Sequence, residues 1–242
     1  MDNYTGQHSH LYLWWICMGY LGSKAASGAY QVIIANMPPH DTYIETHLGS
    51  GAVMSRKPGA NRSIGIDMDQ TVIDLYGKEN PGTELHQGDA LAYLNQFDFS
   101  CAGRVLIYAD PPYLLSTRTS RHRYKYEYTE DDHKDLLAVL RGLSVAGAAV
   151  MLSGYPSALY DTILEGWRSV EFQVMTRGGP RTEKLWMSFE AGAAHWATYA
   201  GDGFAERQRI KRKAARWAEN YRALPPGERL AVLAAMLEVS EA

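Results

Sequence analysis

The sequence predicts an α/β fold: a mostly parallel sheet flanked by helices, closed by a C-terminal antiparallel hairpin and followed by a helical tail. Two features carry that prediction. From Asp41 onward, short apolar runs alternate with stretches of helical spacing, the pattern of parallel strands joined by crossover helices. From about Phe204 the composition turns to Arg, Lys, Ala and Leu, and Pro225-Pro226-Gly227 breaks that stretch into two helices.

Each element has its own signal. Apolar or β-branched runs predict strands at 42–45, 62–66, 84–86, 104–108, 148–152, 170–175 and 185–189, the last two as the antiparallel hairpin. Residues 131–143, with Leu136, Leu137 and Leu140 at helical spacing, and 90–97 predict amphipathic helices. A further helix over 25–37 stops at Pro38-Pro39, because proline cannot continue the hydrogen-bonded ladder. At 242 residues the chain can bury a substantial core, and it divides into a principal domain over 1–203 and a helical basic tail over 204–242.

Composition narrows the setting. Two cysteines, Cys17 and Cys101, are too few for a disulfide framework and lack metal-ligand spacing with the eight histidines, so no metal is expected. The apolar run over 11–21 is about half a membrane span and no basic segment precedes it, which predicts a cytoplasmic protein without signal peptide or anchor. The net charge of −3 does not itself suggest a nucleic acid, but local clustering does. Arg118, Arg121, Arg123 and Lys125 crowd an aromatic-rich segment, and Arg207, Arg209, Lys211, Arg212, Lys213 and Arg216 crowd the tail. A solvated helix face explains the tail equally well.

Asp110-Pro111-Pro112-Tyr113 follows the apolar run Val105-Leu106-Ile107-Tyr108, which places it at a strand's carboxyl end, where open α/β sheets bind ligands. The exocyclic amine of a purine is a poor nucleophile because its lone pair is delocalised into the ring. The Asp110 carboxylate and the Pro111 carbonyl can each accept one amine hydrogen and hold the nitrogen towards tetrahedral geometry. The two prolines fix the backbone that aims these acceptors, and Tyr113 can stack on the base. A plain turn is the alternative, since all these residues favour turns.

Upstream lie segments suited to a nucleoside. Glu45-Thr46-His47-Leu48-Gly49-Ser50-Gly51 leads from the first strand into a turn where Gly49 and Gly51 permit close backbone approach, as a generic nucleotide-binding turn also would. Asp67, ending the second strand before Met68, can accept both ribose hydroxyl hydrogens; a solvated strand-end aspartate is the alternative. Asp89, before Ala90, can receive an adenine amine, cap the following helix, or do both.

Together these segments resemble the Dam-type family of DNA adenine methyltransferases over roughly residues 19–189, with the family's order of cofactor motifs before the catalytic one. Tyr20-Leu21-Gly22-Ser23-Lys24 is similar to the family's N-terminal cofactor motif, whose lysine lies beside the methionine moiety. Residues 42–53, 64–69 and 87–90 resemble its three sheet motifs, and Asp110 to Tyr113 its catalytic motif. Leu152-Ser153-Gly154-Tyr155 and Glu183-Lys184-Leu185-Trp186-Met187 resemble later segments that shape the base pocket and the closing hairpin. The resemblance implies a Rossmann-like S-adenosylmethionine-dependent fold, transfer of a methyl group to the N6 amine of adenine in double-stranded DNA by base flipping, and release of S-adenosylhomocysteine. It implies cofactor contacts from Tyr20, Lys24, Glu45, His47, Gly49, Ser50, Gly51, Asp67, Met68, Asp89, Ala90 and Asp110. A bacterial or phage-type cytoplasmic enzyme follows from it; a restriction endonuclease partner is not legible.

The chain departs from the family twice. Glu45-Thr46-His47 stands where the family has Glu-Pro-Phe, which replaces an aromatic cofactor contact with His47. Only about twenty residues separate the third motif from the catalytic one, a crossover length, so the family's long target-recognition insertion is missing. Recognition is then expected from the loop over 114–130, where Arg118, Arg121, Arg123 and Lys125 can read guanine edges or phosphates and Tyr124 and Tyr126 can stack or wedge. Packing of these aromatics on the domain is the alternative. In the tail, Lys211 and Arg212 can lie along phosphates, or the tail can mediate homodimerisation. An RNA adenine methyltransferase and a catalytically silent DNA-binding module remain the competing functions. A dinucleotide oxidoreductase does not account for Asp110 to Tyr113, and Met54 stands where its glycine fingerprint would end.

Overall fold

The computed structural model describes residues 24–25, 29–118, 124–176, 179–192, 200–201 and 204–240. The chain forms two compact units, Met1–His195 and Trp196–Ala242.

The first unit is a seven-stranded sheet with helices. In chain order it runs α1 (Ala29–Ala35), β1 (Thr42–Glu45), β2 (Arg62–Asp67), α2 (Gln70–Glu79), β3 (Glu84–Gln87), α3 (Ala90–Gln96), β4 (Val105–Ala109), α4 (Glu130–Val145), β5 (Ala149–Gly154), α5 (Ala158–Ile163), β6 (Arg168–Thr176) and β7 (Gly179–Met187). The strand order is β3-β2-β1-β4-β5-β7-β6. The pairings from β3 to β5 are parallel, and β7 runs antiparallel to both β5 and β6. This is the expected α/β class with its terminal hairpin.

The unbroken apolar run of β4 has its reason here, since the strand is buried at every residue and lies between β1 and β5. Ile44, Ile64, Ile107, Leu136, Leu140, Val150, Leu152 and Trp186 belong to one core in which α4 packs against the sheet. Each such side chain contributes about 1.5–3 kcal/mol by leaving water. Helix starts follow local chemistry. Thr129 and Asp132 form a reciprocal capping box at α4, whose first turn holds Glu130, Asp131 and Asp132 against the positive helix end.

The last strand differs from expectation, covering Gly179–Met187 rather than 185–189. Its first half, Gly179-Pro180-Arg181-Thr182, lacks an apolar face because it pairs only with β6, and the hairpin register from Arg168↔Met187 to Thr176↔Gly179 sets its length. The first helix is also shorter than 25–37, ending at Ala35 with Asn36 and Met37 in a closing turn.

Topology positions the site. From β1 the chain moves outward to β2 and β3, then returns to place β4 and β5 on the other side of β1. Where order reverses, the loops after β1 and β4 diverge and leave a crevice at the strands' carboxyl ends.

The second unit contains α6 (Phe204–Ala223) and α7 (Pro226–Ser240). Pro226 occupies the first position of α7, where its missing N–H costs nothing, and the Tyr221 hydroxyl donates to the Arg229 carbonyl at 3.0 Å across the break. None of its described side chains is buried. Among the described residues, no helix is long and apolar enough to cross a membrane.

Candidate active site

A cleft of about 900 Å³, its open mouth included, lies at the reversal point. One wall is the turn after β1. Thr46 N–H still donates to the Tyr108 carbonyl at 3.0 Å, Leu48 N–H donates to the Ile66 carbonyl at 2.8 Å, and the chain then turns through Gly49 (φ 51°) and Gly51 (φ 61°). Gly51 is demanded twice over: its φ is left-handed, and a Cβ there would meet the Tyr76 ring at 2.1 Å. Asp67, at the end of β2, pins the turn. Its Oδ2 accepts from Gly49 N–H at 2.8 Å and its Oδ1 from Asp69 N–H at 2.9 Å. Burial pushes the Asp67 carboxyl up, against these two hydrogen bonds.

The floor is charged and buried. Asp110 follows β4 directly, and Lys24 Nζ lies 2.7 Å from both Asp110 oxygens and donates to the Tyr113 hydroxyl at 2.6 Å. Those three contacts use the three donors of an ammonium group. Glu183 of β7 is buried and stands 3.6 Å from Lys24 Nζ. Burial works against the Lys24 charge, but Asp110 and Glu183 outweigh it and hold its pKa above the usual lysine range. Asp110 Oδ1 also accepts from Ser153 Oγ at 2.8 Å, and Ser153 Oγ lies 2.9 Å from the Tyr108 hydroxyl.

Glu45, at the end of β1, accepts from the Tyr43 hydroxyl at 2.9 Å. Burial pushes its carboxyl up to about 8, with nearby Asp110 adding to the effect and the Tyr43 hydrogen bond opposing it. His47 bridges Thr46 Oγ1 at 2.8 Å and the Tyr128 hydroxyl at 3.0 Å; burial pushes its pKa down to about 3, so the imidazole is neutral at pH 7. His47 thus ties the turn after β1 to the loop that follows Tyr113.

Of that loop's cations, Arg118 and Lys125 are among the described residues, and both pair with carboxylates. Arg118, expected on a DNA-contacting surface, has a side chain only 4 % exposed and grips Glu127 through two hydrogen bonds of 3.1 and 2.5 Å. Its guanidinium also stacks 5.2 Å from the Tyr124 ring centre, and Glu127 accepts from Tyr124 N–H at 3.0 Å. An arginine with its fork filled by a carboxylate in its own loop braces that loop. Tyr124, Lys125 and Tyr126, expected as DNA contacts, line the cleft, with Lys125 paired to Asp69 at 3.0 Å. The loop reaches the turn after β1 through Tyr128, on His47, and the end of β2 through Lys125, on Asp69.

Of the residues singled out in the sequence, Lys24, Glu45, His47, Gly49, Ser50, Asp67, Met68, Ala90, Asp110, Pro111, Pro112 and Tyr113 border this one cleft. Gly51 lies behind it against Tyr76. Asp89 caps α3, accepting from Ala92 N–H at 2.8 Å, and borders a neighbouring cleft with Met68 and Tyr126. Tyr113 is largely buried on the cleft wall, with its ring edge-on to Tyr155 at 4.5 Å and its hydroxyl accepting from Lys24. Tyr20, Arg121 and Arg123 lie outside the described residues. Lys211 and Arg212 are exposed on α6. Tyr108, Ser153 and Asp69 carry contacts that residue type alone does not announce. For Ser153 the signal is register: Ala109 pairs with Leu152, so Asp110 and Ser153 follow side by side.

No family model and no curated protein matches the chain. Among solved structures it is similar to the O-methyltransferase TomG from Streptomyces achromogenes in complex with SAM, at TM-score 0.47 and 14% identity over 69% of this chain and 82% of that one. It is also similar to a dimethyladenosine transferase from Plasmodium falciparum, at TM-score 0.43 and 16% identity over 65% and 60% of the two chains. A ribosomal protein L11 methylase from Lactobacillus delbrueckii subsp. bulgaricus is similar at TM-score 0.41 and 15% identity, over 66% and 77%.

Proposed function

We propose that the protein is an S-adenosylmethionine-dependent methyltransferase acting on the N6 amine of adenine in double-stranded DNA. The observation that carries this reading is that Asp110-Pro111-Pro112-Tyr113 and the Gly49 turn with Asp67, separated in sequence, border one cleft at the reversal point of the sheet.

The residues present suit the methyl donor. Asp67 keeps a lone-pair direction on each oxygen beyond its two backbone hydrogen bonds, as a partner for ribose hydroxyls requires. The glycine turn admits a nucleoside close to the backbone. When bound, S-adenosylmethionine supplies a sulfonium-activated methyl group and leaves as S-adenosylhomocysteine.

The chain's own part is orientation. An extruded adenine offers two amine hydrogens, one for the Asp110 carboxylate and one for the Pro111 carbonyl, and this pairing turns the nitrogen lone pair towards the donor. Lys24, itself held by Asp110, Tyr113 and Glu183, keeps the carboxylate from swinging away. The amine's surplus proton leaves only once its basicity has risen, so alignment contributes more than a strong base would. The exposed cations of α6, Lys211 and Arg212 among them, supply a phosphate-binding surface that needs no base reading.

Incubation of the purified protein with methyl-labelled S-adenosylmethionine and unmethylated duplex DNA or RNA, followed by nucleoside analysis, tests the reading. Label in N6-methyladenine of DNA is the expected result, abolished in Asp110→Ala while donor binding persists. Label confined to RNA would replace the substrate, and absence of donor binding would leave a silent DNA-binding module.

A further inference from the structure

The Asp110 carboxylate has two oxygens with about four lone-pair directions, and the structure distributes them unevenly. Oδ1 accepts from Lys24 Nζ at 2.7 Å and from Ser153 Oγ at 2.8 Å. Among the described residues, Oδ2 meets Lys24 Nζ alone, at 2.7 Å. Ser153 has a single proton, and with that proton on Asp110 the remaining contact of 2.9 Å runs from the Tyr108 hydroxyl to Ser153 Oγ. The result is a directed chain, Tyr108 to Ser153 to Asp110, whose first two members are 1 % and 0 % exposed.

We propose that Ser153, aligned by Tyr108, is a positioning residue that fills Oδ1 of Asp110 and thereby makes Oδ2 the oxygen that receives the substrate amine. This rests on the reading of the chain as an adenine methyltransferase and adds to it the residue that decides which carboxylate oxygen, and so which carboxylate rotation, meets the amine. Strand pairing supplies the precision. Ala109↔Leu152 is the last parallel pair of β4 and β5, so Asp110 and Ser153 emerge together from rigid backbone, and a serine hydroxyl spans the remaining gap. Lys24 alone contacts both oxygens and cannot distinguish them; the serine supplies the asymmetry.

The experiment compares wild type, Ser153→Ala and the double variant Tyr108→Phe/Ser153→Ala, reading single-turnover methyl transfer to duplex DNA, calorimetric affinity for S-adenosylmethionine and melting temperature. In Ser153→Ala the loss of one hydrogen bond to a charged acceptor lowers the transfer rate about 10- to 100-fold, with donor affinity within about twofold of wild type. That variant also strands the Tyr108 hydroxyl in the core, whereas the double variant removes both polar groups and regains melting temperature. A positioning role predicts that the double variant stays slow. Recovery of rate alongside stability, or a loss seen in donor affinity instead of rate, overturns the proposal. An active wild type matched in speed by Ser153→Ala sinks this inference alone, while an inactive wild type removes the methyltransferase reading and this proposal with it.

Discussion

Lys24 and Asp110, 86 residues apart in sequence, meet at 2.7 Å beneath the cleft, with side chains 5 % and 16 % exposed. Such a pair stabilises little over a well-packed apolar substitute, but removing one partner leaves the other charge without compensation. Here the stranded group would have company, because Glu183 faces the same ammonium. Lys24→Ala is therefore expected to destabilise the protein by about 3–5 kcal/mol and lower the melting temperature by about 10 °C. Repeating the substitution in a Glu183→Gln background should cost measurably less, and equal losses in thermal unfolding would show that the two groups are not coupled.

Two buried groups set opposite pH limits. Burial pushes His133 down to about 4 from an ordinary 6.5, so the folded protein keeps it neutral while the unfolded chain protonates it. Its contribution is complete above pH 6.5 and is lost as pH falls towards 4, amounting to about 2 kcal/mol by pH 5. Glu45, raised to about 8 from 4.5, acts the other way: the unfolded chain releases this proton first, and stability declines as pH climbs from 4.5 to 8. Denaturant unfolding across this range should flatten on the acid side in His133→Gln and on the alkaline side in Glu45→Gln.

Gly51→Ala tests the turn. With φ at 61° and the Tyr76 ring 2.1 Å from the new Cβ, either the backbone or the ring must move. A destabilisation of at least about 2 kcal/mol in urea unfolding is expected. A neutral outcome would mean that Tyr76 swings aside freely, against its burial and its 3.2 Å contact with Ser55 Oγ.

Asp67→Asn keeps the size of the side chain but gives it one acceptor oxygen and an NH₂ group where two backbone N–H donors now converge. The turn cannot keep both hydrogen bonds. Affinity for S-adenosylmethionine, measured by calorimetry, should fall about 10-fold or more, as expected when a charge-assisted hydrogen bond is lost.

Arg118 and the tail cations should separate in a salt titration of DNA binding. Removing one phosphate-bound cation reduces the slope of log affinity against log salt by about one. Lys211→Ala and Arg212→Ala are expected to lower it, whereas Arg118→Ala should leave the slope intact and instead slow methyl transfer by loosening the loop that Glu127 and Tyr124 anchor.

What was legible in the sequence was local. The all-apolar run at 105–108 marks a strand buried on both faces, Pro38-Pro39 ends a helix, Leu136, Leu137 and Leu140 face a core, and an aspartate after a buried strand points to a ligand-binding edge. These follow from periodicities and turn chemistry written within a few residues. The outer half of β7 was not legible, because a strand paired only with a hairpin partner needs no apolar face. Nor was the inward turn of Arg118, since a cation in an aromatic loop reads the same whether it meets a phosphate or Glu127. The meeting of Lys24, Asp110, Ser153 and Glu183 depends on strand order and register, which bring together side chains from four distant segments. Hydrophobic patterning specifies which faces are buried but not which strands become neighbours, so only the tertiary structure decided the partners of the Asp110 carboxylate.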